Sequence, residues 1–79
     1  MGGTVNILFS TPQEAVNAAR RIFAEDPAVE WVVATGAATV AGVFYEGVYG
    51  DLVLHRSGRG AWTGSLTLEE CQQRILEDQ

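Results

Sequence analysis

A chain of 79 residues makes one domain, and one this short buries only about 60% of the surface its extended form exposes. It is 47% hydrophobic, carries ten acidic against five basic residues for a net charge of −5, and has a single cysteine. Those figures exclude intrinsic disorder and an internal disulfide, and they offer no basic stripe for direct binding of nucleic acid.

All the basic residues are arginine: Arg20, Arg21, Arg56, Arg59 and Arg74. The acid excess lies in two segments, at Glu14, Glu25, Asp26 and Glu30 and again at Glu69, Glu70, Glu77 and Asp78. Between them, Glu46 and Asp51 balance Arg56 and Arg59. The first residues, MGGTVNILFS, lack a charged leader and are too short an apolar run for a signal peptide or a membrane span. A cytoplasmic protein that binds no membrane is the expectation. With apolar surface to bury and no disulfide or metal to support a small core, a homodimer or a tight complex with a protein partner is expected.

Residues 5–9 read as a first strand. Thr11, Pro12 and Glu14 then form a helix start, with a capping hydroxyl, a proline suited to the first turn and a carboxylate three residues after the cap. Ala15, Val16, Ala19, Ile22 and Phe23 repeat at helical spacing, and Pro27 ends the helix. The pattern then turns to β. Residues 30–35 form a strand, and residues 39–45 a second with Gly42 at a bulge. Glu46 and Gly47 make a hairpin turn, residues 48–56 a return strand, residues 57–60 (SGRG) a second turn and residues 61–66 a last strand. Thr67 and Glu70 repeat the capping signature, and Leu68, Cys71 and Ile75 line the helix that follows. The expected fold is α+β: a single small domain with an antiparallel sheet of four to five strands and two helices, in the order β-α-β-β-β-β-α.

Chemistry-bearing residues gather in GVFYEGVYGDLVLH, residues 42–55. Asp51 and His55 share a strand face, but four residues along a strand span about 13 Å, too far for a carboxylate to orient an imidazole. His55 is therefore expected as a half-exposed residue at a strand end. Cys71 sits on an apolar helix stripe beside Glu69 and Glu70, where burial and like charge both oppose a thiolate; it reads as a small core residue. One histidine and one cysteine at no ligand spacing offer no metal site. Gly58, Gly60 and Gly64 match no phosphate-binding loop. Arg56 and Arg59 have the chemistry to clamp a phosphate or carboxylate, but an ordinary hairpin turn with two solvated arginines is the preferred account, because the turn's glycines have a sufficient conformational reason. No catalytic, cofactor or metal residue is assigned, and the chain reads as no enzyme.

Both sheet faces are apolar. Trp31 and Val33 oppose Val32 and Ala34, and Leu52 and Leu54 oppose Val53 and Tyr49. If both helices cover one face, the other is left open as an interaction surface. The alternative is one helix on each face. The residues expected at a protein-binding surface are Trp31, Tyr45, Tyr49, Arg56, Arg59 and Trp62, with the acidic Glu69, Glu70 and Glu77. The function expected is that of a non-enzymatic, acidic protein-interaction module that acts as an inhibitor. Small size, acidity and the lack of a catalytic constellation form the general profile of phage-encoded inhibitors, anti-CRISPR proteins included. The alternatives are a small dimeric α+β enzyme or ligand-binding domain, with Tyr45, Tyr49, His55 and Trp62 around an aromatic pocket, and a structural subunit of a larger assembly.

Overall fold

The computed structural model describes residues 2–36 and 50–77. The strand expected over 39–45, the turn at Glu46 and Gly47, and both tyrosines lie outside them. The described elements are β1 (Gly3–Phe9), α1 (Pro12–Glu25), β2 (Val29–Gly36), β3 (Leu52–His55), β4 (Gly60–Trp62) and α2 (Leu68–Glu77). They form the expected small α+β domain, with four strands in the spatial order β1-β2-β3-β4 and two helices.

Local chemistry sets the helix starts. Thr11 Oγ1 accepts the Glu14 N–H at 3.3 Å, and Glu14 reaches back to accept the Ser10 N–H at 3.1 Å. At α2 the exchange is reciprocal: Thr67 N–H donates to Glu70 Oε1 at 3.0 Å, and Glu70 N–H donates to Thr67 Oγ1 at 3.2 Å. Both arrangements satisfy amide groups that a helix start leaves without intrahelical partners.

The sheet is mixed, not wholly antiparallel. β1 pairs parallel to β2, whereas β2–β3 and β3–β4 are antiparallel. The cause is connectivity. α1 carries the chain back along the sheet, so β2 starts at the same end as β1, as a strand–helix–strand crossover requires. The last strand is also shorter than residues 61–66. Beyond Trp62, Leu66 N–H turns back to the Thr63 carbonyl at 2.8 Å, while Thr63 N–H bonds Asp51 O at 2.9 Å.

The helices lie on opposite faces of the sheet. α1 packs on β1, β2 and β3, and α2 packs on β3 and β4. Under α1 lie Phe9, Ala15, Ala34 and Leu52 with Ile7, Leu54 and Trp62, joined by Ala19, Val29 and Val32. Under α2 lie Trp31, Val53, Cys71 and Ile75 with Ala61. The strand register requires this division, because Val32 pairs Leu54 on one face while Val33 pairs Val53 on the other. The expected open second face is thus covered by α2, and the two apolar faces are two halves of a three-layer core.

Candidate functional site

The β3–β4 turn, residues 56–59, is where side chains from both faces meet. Gly58 carries φ +98°, a conformation that favours glycine. Gly60 lies so close to β3 that an added Cβ would stand 2.9 Å from the Val53 carbonyl oxygen. His55 N–H closes the turn onto Arg59 O at 2.8 Å, and Gly58 N–H donates to His55 O at 3.0 Å.

Arg56 anchors the turn to the strand beside it. Its Nε donates to Val29 O at 2.8 Å and its terminal nitrogen to Asp26 O at 2.6 Å. Its guanidinium lies 5.3 Å from the Phe23 ring centre. Arg56 N–H donates to Glu30 O at 3.0 Å.

On the α1 side of the turn lies a groove of about 280 Å³, lined by Val16, Ala19, Phe23 and Leu54 with Arg20 and Arg59. On the other side, Arg59 and Gly60 share a second concavity with Arg74 and Ile75. Arg20, Arg56, Arg59 and Arg74 therefore all line concavities that meet at one turn, and Arg21 lines neither. Among the described residues Arg20 and Arg59 have no carboxylate within salt-bridge distance, and Glu30 with His55 is the one acid–base contact of that length there. Arg74, by contrast, lies near enough to Glu70 to help the Thr67 hydrogen bonds hold that carboxyl below its usual range. In a chain of net charge −5, most of the positive charge is collected at this end of the sheet.

His55 sits beside this cluster in a hydrogen-bonded chain. Ser57 N–H points at His55 Nδ1 at 3.2 Å, which makes Nδ1 an acceptor, and Ser57 Oγ lies 2.8 Å from the same nitrogen. Nε2 then carries the proton and donates to Glu30 Oε2 at 3.1 Å. The ring also lies 4.5 Å from the Trp31 ring, tilted by 53°. Serine, histidine and glutamate in series resemble an activated nucleophile. However, Nδ1 is shared with the Ser57 backbone amide, and the neighbouring Gly58 N–H is given to His55 O. The chain acts as a clasp between the β3–β4 turn and the start of β2.

The surface residues expected from the sequence are distributed unevenly. Arg56 and Arg59 belong to the turn site. Trp31 does not: α2 and His55 cover it to 7% exposure, because its face is the one α2 occupies. Trp62 is half-buried on the opposite face, its ring 6.1 Å from that of Phe9. Trp62 and His55 thus point to opposite sides of the sheet and do not line one aromatic pocket. Glu69, Glu70 and Glu77 are exposed on α2. The Thr67 amide first, and its hydroxyl second, hold the Glu70 carboxyl below the usual carboxylate range. Burial pushes the Cys71 thiol up, with Arg74 opposing, and Cys71 is 1% exposed in the core.

Arg20, Glu30, Ser57 and Arg74 join the site only in three dimensions. Their signal in the sequence was weak, since Glu30 lies 25 positions before His55 and reaches it through the β2–β3 register. Among the described residues no cluster of three or more His, Cys, Asp or Glu side chains stands ready for a metal ion, and no helix is long and apolar enough to cross a membrane. Compared with family models, curated proteins and solved structures, the chain matches none.

Proposed function

We propose that the protein is a non-enzymatic interaction module that docks onto an acidic segment of a protein partner through the arginine-lined end of its sheet. The observation that carries this reading is the placing of Arg20 and Arg59, without carboxylate partners among the described residues, on an apolar groove in an otherwise acidic chain, with Arg74 next to Arg59 in the adjoining concavity. Guanidinium groups over an apolar floor suit a carboxylate-bearing segment with a hydrophobic face, because arginine makes planar paired hydrogen bonds and is weakly hydrated. The apolar sheet face first expected to bind is covered by α2, so the contact surface moves to the turn. A small module of this kind acts by occupying a partner's surface, the mode of a protein inhibitor. The phage-encoded profile rests on size, charge and the absence of a catalytic constellation.

Affinity capture from an extract of the source organism tests the reading. The wild-type protein retains a partner at low salt, and the Arg20→Glu/Arg59→Glu variant, with an unchanged melting curve, loses it. Reversal of Glu69, Glu70 and Glu77 to arginine leaves capture intact. If capture survives the arginine reversal and is lost on the acidic one, the acidic helix is the contact surface and the proposal fails.

A further inference from the structure

We infer that the segment docking in the arginine-lined groove is helix α2 of a second copy of this chain. This rests on the reading of the groove as a protein-docking surface, and it names the occupant.

The fold leaves a lane for such a helix. α1 packs over β1, β2 and β3, and the groove lies beside it, floored by Leu54 of β3 and reaching to the turn before β4. A second helix laid parallel to α1 would fill that lane. The outer surface of α2 has the complementary chemistry. Leu68, Gln72 and Leu76 stand at i, i+4 and i+8 and form one ridge. Glu69, Gln73 and Glu77 form the ridge next to it. Leu68 and Leu76 are 38% and 43% exposed and, with Leu8, are the exposed large hydrophobics among the described residues. The groove offers apolar Val16, Phe23 and Leu54 together with basic Arg20, one turn after Val16 on the same face of α1, and Arg59 from the β3–β4 turn.

The lengths agree as well. Leu68 and Leu76 are about 12 Å apart along α2, and Val16 and Phe23 about 10 Å apart along α1, at 1.5 Å rise per residue. A groove of about 280 Å³ admits the side chains of one helix face while the helix itself lies on top. The donor and acceptor surfaces are on opposite faces of the sheet, since α1 and α2 are. The contact is therefore head-to-tail. Such a contact continues from copy to copy or closes as a ring, and it does not stop at a two-fold dimer.

Sedimentation velocity over a range of protein concentrations at low salt tests this. The mean mass is expected to rise with concentration and to fall back toward the monomer at high salt, because surface charge pairs are screened. Arg20→Glu/Arg59→Glu and Glu69→Arg/Glu77→Arg each weaken association by about tenfold, as two inverted surface ion pairs should. Mixing the two variants restores it, because each then offers the charge the other lacks. A monomer at every concentration and salt overturns the inference, as does association untouched by either reversal, or a mixture that fails to recover. None of these results bears on capture of a foreign partner, which tests the groove reading separately.

Discussion

Arg56 holds the β3–β4 turn against β2 by donating to two carbonyls at once, Val29 O and Asp26 O, while its planar group rests near Phe23. Removing it leaves those carbonyls without a charged donor. Arg56→Ala is expected to lower stability by about 1–2 kcal/mol in urea unfolding. Arg56→Lys recovers only part of the loss, because a compact ammonium does not reproduce a planar fork of donors. A loss under about 0.5 kcal/mol would place Arg56 among ordinary surface residues. Cys71 is the opposite case, a reactive group made inert by its surroundings. Burial keeps its thiol protonated, so a thiol reagent is expected to react slowly with the folded protein and quickly once it is unfolded. Equal rates in the two states would contradict its place in the core. At this scale Cys71 was legible, because an apolar helix stripe dictates burial. Glu30 was not, because only the register of β2 against β3 brings it to His55.

The helix starts were legible for a related reason: capping acts over three residues, so Thr11 with Glu14 and Thr67 with Glu70 announce themselves. The α2 cap has a pH signature. Glu70 is held below its ordinary pKa in the folded state. Its charged form thus contributes stability that is complete above the ordinary carboxylate range and is lost as pH falls through the lowered value. Glu70→Gln should flatten that part of the acid limb in melting temperatures taken across acidic pH, whereas an unchanged limb would mean the cap does not hold in solution. The strand pairing was harder to foresee. The crossover through α1 makes β1 and β2 parallel, a consequence of connectivity that reading each strand alone misses. The placing of one helix on each face depends on where α2 returns after β4, which no local pattern encodes. Val32 and Val53 test that placement, being 0% exposed on opposite faces. Val32→Ala and Val53→Ala should each cost about 2 kcal/mol, from lost burial plus the cavity left behind. A near-neutral Val53→Ala would mean the α2 face is not packed.

At the scale of the whole molecule, the distribution of charge decides more than its sum. A net charge of −5 pointed to acidic helices as the binding surface, yet Arg20, Arg56, Arg59 and Arg74, dispersed along the chain, line adjoining concavities at one end of the sheet. Their separation in sequence concealed that convergence, since a basic patch built from α1, one turn and α2 has no linear footprint. The apolar surplus that suggested an open face is accounted for by a core on each side of a thin sheet. The molecule that results has a basic groove on one face and an acidic helix with exposed leucines on the other. The claim that the arginine end makes the contacts is tested most directly by arginine footprinting. The protein is treated with phenylglyoxal alone at high dilution and again in its complexes, with modification mapped by mass spectrometry. Arg20 and Arg59 should be protected in the complexes while Arg21, exposed on the same helix but outside the groove, stays as reactive as before. Arg20 and Arg59 remaining as reactive as Arg21 would contradict the account.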